Sequence, residues 1–131
     1  MCPTGEKKNT IASEIGGTKI SKQIINRSGM FGPNVTVATA GHPILPSLRE
    51  KAYQFNKAVH IGKNCWIGAG CVIIPGVTIG DNTVIGAGSV VTRDIPPSVV
   101  ALGVPCRVVR GIGEHDKEFY YKTDRIPDEI L

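Results

Sequence analysis

A chain of 131 residues that is 41% hydrophobic is long enough for one domain with its own core, and none of its apolar runs is long enough to cross a membrane as a helix. The net charge of +4 is modest, and no run of basic residues is interleaved with aromatics, which argues against a nucleic-acid partner and leaves a preference for small anions. Four cysteines, Cys2, Cys65, Cys71 and Cys106, form no CxxC pair, so a reduced, cytoplasmic protein is the expectation.

Residues 1–29 show no readable period and stay unassigned. The opening "MCPTGEKKNTIASEIGG" has no apolar signal region, so export is not expected. At six-residue spacing the frame positions there are Ser13, Lys19 and Ile25, and the corner positions are Lys22 and Ser28. From Met30 a pattern begins: Phe31-Gly32-Pro33-Asn34, then Val37. It stops after Gly41-His42-Pro43, and "ILPSLREKAYQFNKA", residues 44–58, reads as a loop pushed out of a wall.

The pattern resumes at Val59 and becomes regular. Ile61, Ile67, Ile73, Ile79, Ile85 and Val91 recur every sixth residue, all β-branched and suited to buried strands. Two residues before each stand Val59, Cys65, Cys71, Val77, Thr83 and Ser89, small or medium, as alternation on a short strand requires. Three residues after each stand Asn64, Gly70, Gly76, Asn82, Gly88 and Asp94, types that tolerate positive φ. Each unit is one short strand and one tight corner. Three units return the chain to its starting face, placing Ile61 beneath Ile79 and Ile67 beneath Ile85. The prediction is an all-β, triangular parallel solenoid; an antiparallel sheet would not need such a corner residue at every sixth position.

Downstream, "DIPPSVVALGVPCRVVRGIG" is expected to leave the solenoid through Pro96-Pro97. The tail, residues 111–131, is expected to hold a short helix against the solenoid end or a neighbour. The solenoid domain thus spans 30–110, with the loop 44–58. So few coils leave much flat apolar wall, and association is expected.

His42 is the strongest candidate for chemistry. It sits between a flexible glycine and a rigid proline where the chain leaves a regular scaffold, and an imidazole can take a proton from a hydroxyl as that hydroxyl attacks an activated carbonyl. Gly-His-Pro also reads simply as a turn. His60 points outward from the frame and His115 lies in the charged tail, both as surface residues. The three histidines lack the close spacing of a zinc site, and no metal is expected. No G-x-S-x-G turn supports a serine nucleophile. Arg93, Arg107 and Arg110 gather after the repeat, either to hold phosphates through guanidinium forks or as a solvated rim.

The hexapeptide repeat, "TAGHP" with its extruded loop, "VTIGDNTVIGAGSVVTRDIPP" and "GVPCRVVR" together resemble the left-handed β-helix O-acetyltransferases of the galactoside and maltose type, over about residues 30–122. The resemblance implies a left-handed parallel β-helix, acetyl-CoA as acyl donor, a sugar hydroxyl as acceptor, and a homotrimer with sites between subunits. By this resemblance His42 is the general base of a direct transfer without an acyl-enzyme. Trp66 matches a substrate-site position. Ala69 and Ala87 match positions along the pantetheine arm, and Thr92, Arg93, Arg107 and Arg110 match positions near the nucleotide end of coenzyme A. The segment before Met30 does not resemble the N-terminal part of those enzymes, which supplies an aspartate, an arginine and an asparagine to the acceptor. Alternatives are transfer to another small hydroxyl such as serine or an antibiotic, a catalytically silent trimeric scaffold, and a metal-dependent enzyme of the carbonic anhydrase kind on the same solenoid.

Overall fold

The computed structural model describes residues 23–130, so most of the unassigned N-terminal segment lies outside the described residues. The first coil carries β1 (Gln23–Ile25), β2 (Met30–Phe31) and β3 (Thr36–Val37). The extruded loop follows with β4 (Ala40–Gly41), helix α1 (Pro46–Glu50) and β5 (Phe55–Asn56). The second coil holds β6 (Val59–Ile61), β7 (Trp66–Ile67) and β8 (Val72–Ile73). The third holds β9 (Thr78–Ile79), β10 (Val84–Ile85) and β11 (Val90–Val91).

Equivalent strands of successive coils pair in parallel, giving three faces: β1-β6-β9, then β2-β7-β10, then β3-β8-β11. The register is set by the aliphatic ladder, with Ile61 opposite Ile79, Ile67 opposite Ile85 and Ile73 opposite Val91. These side chains are fully buried and form the core, each contributing roughly 1.5–3 kcal/mol of burial. The fold is the expected left-handed parallel β-helix.

The inward small residues have a polar task as well as a size limit. Thr83 Oγ1 donates to the Pro96 carbonyl (2.9 Å), Ser89 Oγ donates to Gly86 O (2.6 Å) and accepts from Gly103 N–H (3.1 Å). The Cys65 and Cys71 thiols donate to Gly80 O and Gly86 O, each at 3.1 Å. Corner carbonyls that turn inward are thereby satisfied in a dry interior. Burial pushes the Cys65 and Cys106 thiols up in pKa, which keeps them protonated and structural.

At the corners, Asn34, Asn64, Gly70, Gly76, Asn82 and Gly88 all take positive φ. Asp94 does not. From Val91 to Ile95 the coil is two residues short, because Ile95 bridges to Ile79 at a separation of sixteen where Ile79 itself faces Ile61 at eighteen. Asp94 Oδ1 instead accepts the Thr78 N–H at 2.8 Å and closes the tightened corner from its side chain.

Two expected boundaries move. The solenoid begins upstream of Met30: β1 pairs with β6, Ile25 faces Ile61, and Ser28 turns the corner at φ 60°. The solenoid also survives Pro96-Pro97, since β12 (Val99–Leu102) pairs in parallel with β10, Ala101 facing Ile85. The reversal comes later, where β13 (Arg107–Gly111) folds back antiparallel on β12 and closes the second face. The tail is more than a helix: α2 (Glu114–Glu118) leads into a hairpin of β14 (Phe119–Tyr121) and β15 (Asp124–Arg125), then one 3-10 turn at Asp128–Ile130.

Ile85→Ala removes a buried rung between two coils and is expected to destabilise the protein by about 2–5 kcal/mol in denaturant titration. Thr78→Ala, on the exposed side of the same coil, is expected to stay within about 0.5 kcal/mol of wild type.

Candidate functional site

The extruded loop leaves the prism at the corner between the third and first faces, and His42 stands at its root. Three contacts fix it. Ahead of it, β4 pairs antiparallel with β5, Gly41 facing Phe55, and Lys57 N–H donates to Thr39 O at 2.7 Å. A Cβ on residue 41 would lie 2.4 Å from Phe55 Cζ, so only glycine lets that ring lie against the strand. At the imidazole itself, Nδ1 lies 3.0 Å from the Tyr53 carbonyl oxygen. Behind it, Arg49 Nη1 donates to Pro43 O at 3.1 Å and also to Ile44 O.

The Tyr53 contact decides the tautomer. A carbonyl oxygen only accepts, so Nδ1 carries the hydrogen and Nε2 of the neutral ring carries the lone pair. Nε2 therefore lies on the side of the ring away from the Tyr53 carbonyl. The residue as a whole is exposed.

The other expected site residues fall into separate groups. Thr92 and Arg93 are exposed on the same corner as His42, two coils along, where Ala38 N–H bonds to Ile73 O and Ile74 N–H to Val91 O in succession. The Arg93 guanidinium has no partner among the described residues. Ala69 and Ala87 stack on the neighbouring corner, with Gly88 N–H donating to Ala69 O at 2.8 Å. The coils there are so close that a Cβ on residue 68 would lie 2.6 Å from the Ala87 nitrogen. Arg107 is exposed at the start of β13 and donates to the adjacent Cys106 carbonyl.

Trp66 belongs to the second face. Met30, Trp66, Val84, Val100 and Arg110 lie in register across its outer surface, a largely apolar row. Trp66, 54% exposed, lines a cavity of about 340 Å³ between this face and the tail aromatics Phe119, Tyr120 and Tyr121. In a triangular prism the corner that bears His42 is opposite the second face, so the core of one chain separates His42 from Trp66.

Arg110 has another occupation than the one expected of it. Its fork is filled by Asp116, Nη1 to Oδ2 and Nη2 to Oδ1, both at 2.9 Å, while Asp116 Oδ2 also accepts the Gly113 N–H. That pairing ties the tail to β13 and holds the Asp116 carboxyl well below the usual carboxylate range. The loop contacts of Arg49 and Tyr53 were equally hidden in the sequence. Among the described residues no cluster of three or more His, Cys, Asp or Glu side chains is placed to hold a metal, and no helix is long and apolar enough to cross a membrane.

The family described as bacterial transferase hexapeptide (six repeats) matches residues 58–93. Galactoside O-acetyltransferase of Lactococcus lactis is 57% identical over 103 residues, which are 78% of this chain and 50% of that protein. A structure of galactoside acetyltransferase in complex with coenzyme A superposes with a TM-score of 0.77 at 51% identity, over 79% of this chain and 52% of that one. A maltose O-acetyltransferase from Clostridium difficile 630 superposes with a TM-score of 0.57 at 35% identity, over 86% of this chain and 78% of that one. The chain spans about half the length of the curated relatives it matches.

Because the Asp116 carboxyl binds its proton more weakly folded than unfolded, the Arg110 pairing contributes stability above the ordinary carboxylate value of 3.8 and loses it as pH falls below that value. Urea midpoints of wild type and Asp116→Asn are expected to differ at about pH 5 and to converge as the pH is lowered towards about 2.

Proposed function

Since the chain belongs to the hexapeptide-repeat transferases, we propose that it is an acetyl-CoA-dependent O-acetyltransferase acting on a hydroxyl of a galactoside-, maltose- or glucose-like sugar. The observation that carries the reading is the His42 ring, exposed at the root of the loop and held by Nδ1 on the Tyr53 carbonyl. Relatives named galactoside and maltose O-acetyltransferases supply the acceptor class.

In this reading Nε2 removes the proton from the acceptor hydroxyl as its oxygen attacks the thioester carbonyl carbon. The tetrahedral intermediate collapses with cleavage of the C–S bond. The departing thiolate takes the proton from the imidazolium, which returns His42 to its starting state. Tyr53 O holds the imidazolium proton on Nδ1 throughout, so the ring keeps its orientation when charged. Acetyl passes directly to the sugar. Ala69 and Ala87 leave a shallow corner along which a pantetheine arm can lie close to the backbone. Thr92, Arg93 and Arg107 supply an exposed hydroxyl and cationic groups for the nucleotide end. Arg110 joins them only when it leaves Asp116.

The placement of His42 and Trp66 on opposite sides of one core supports a homotrimer in which the His42 corner of one subunit faces the Trp66 face of the next. The loop tip supports it too: Ile44 is 92% exposed, beside exposed Leu45, and such an apolar tip is suited to a neighbouring surface. The reading places the enzyme in the cytoplasm, with reduced thiols.

His42→Ala is expected to lower kcat by about two to four orders of magnitude in a thiol-release assay with acetyl-CoA and galactosides, maltose or glucose, with the circular dichroism spectrum unchanged. Turnover near wild type in that variant overturns the assignment. Sedimentation equilibrium is expected to give three times the chain mass of 13.9 kDa; a monomer active with full turnover would remove the shared site.

A further inference from the structure

The guanidinium of Arg49 lies where the catalytic geometry is most easily lost. We propose that Arg49 is a positioning residue for His42: by clamping the backbone carbonyls of Pro43 and Ile44 it fixes the direction in which the chain leaves His42, and so the direction of Nε2. This rests on the acetyltransferase reading for its kinetic consequence and on geometry alone for its structural one.

The residues before His42 belong to an ordered ladder, since β4 is paired with β5 and Gly41 is covered by the Phe55 ring. The residues after it belong to none. Pro43 has no N–H to give, Ile44 and Leu45 are exposed, and the chain re-enters regular structure only at Pro46. Without a tie at this point, the peptide after His42 could turn, and the ring's 3.0 Å bond to Tyr53 O would turn with it.

Arg49 supplies that tie from within the same loop. It sits in the last turn of α1, so its backbone is set by the helix, and one terminal nitrogen donates to both the Pro43 and Ile44 carbonyls. The helix is in turn locked to the other end of the clamp. Tyr53 N–H donates to Leu48 O at 3.1 Å and Ala52 N–H to Arg49 O at 2.9 Å, with Ala52 at φ 59° making the reversal. The acceptor of His42 and the clamp behind His42 are therefore parts of one small rigid unit: Arg49 holds the chain following the ring, and Tyr53, four residues on, holds the ring. A planar guanidinium can satisfy two adjacent carbonyls from a fixed position, whereas a lysine ammonium on a flexible stem holds them with less directional control.

Because Arg49 is exposed and α1 has no buried residue, its loss leaves the solenoid core untouched. Arg49→Ala and Arg49→Lys are compared with wild type and His42→Ala in the full chain. Arg49→Ala is expected to lower kcat by about 10- to 100-fold with KM for acetyl-CoA and sugar nearly unchanged, the usual effect of displacing a catalytic group by about an ångström. Arg49→Lys should recover part of the loss, and millimolar guanidinium should raise turnover of Arg49→Ala but not of His42→Ala. Nitrogen-15 spectra of the imidazoles, with His42 identified by its absence in His42→Ala, read the tautomer without any assay. Wild type should show Nδ1–H and an unprotonated Nε2, and Arg49→Ala should shift toward the mixture of a free imidazole. An unchanged tautomer and wild-type kcat in Arg49→Ala overturn the proposal, as does a loss confined to KM. A wild type that transfers no acetyl group overturns the acetyltransferase reading instead, and the nitrogen spectra still decide whether Arg49 holds the ring.

Discussion

Stacking of one coil on the next governs everything else in this molecule. Each strand of the second and third coils is only two or three residues long and would not persist alone, but it is hydrogen-bonded to the equivalent strand above or below, and its inward aliphatic rests on another of the same kind. The hydrogen-bond ladder fixes the spacing and the aliphatic ladder fixes the register, so neither can slip without disturbing the other. Small side chains between the rungs, Thr83 and Ser89 above all, use their hydroxyls on corner backbone, which gives those buried polar groups partners.

A scaffold this regular can carry an irregularity at one corner without losing its own order. The loop after His42 is inserted between the first and second coils, and β6 still meets β1 in register after it. The His42 corner is therefore divided between two parts: the solenoid fixes where the loop begins and ends, while the loop's own bonds, Tyr53 O to the imidazole and Arg49 to the two carbonyls, hold the ring and the chain after it. Separating position from orientation in this way lets a corner of a plain structural repeat hold one side chain in a defined direction.

The repeat was legible in the sequence because it consists of side chains of one type at a fixed interval. It was misread where the same geometry is met by other means. Ser28 takes a corner usually given to Gly or Asn, which hid the strand at Gln23–Ile25, and the two-residue contraction before Ile95 put β12 out of the six-residue frame. The place of His42 at the root of an extruded loop was legible from the break in the pattern. The holder of its ring was not, since a backbone carbonyl such as that of Tyr53 has no letter of its own, and the partnership of Arg110 with Asp116 depends on how the chain passes from β13 into α2.

The cavity between the second face and the tail has a spectroscopic consequence. Trp66 is the chain's single tryptophan, and it lines the same cavity as the tail hairpin residues and the Arg110–Asp116 pair. Its emission thus comes from one environment only. Undocking of the tail alters the polarity around that indole while the solenoid beneath stays folded, so the protein carries an intrinsic optical reporter for the state of its own C-terminal segment.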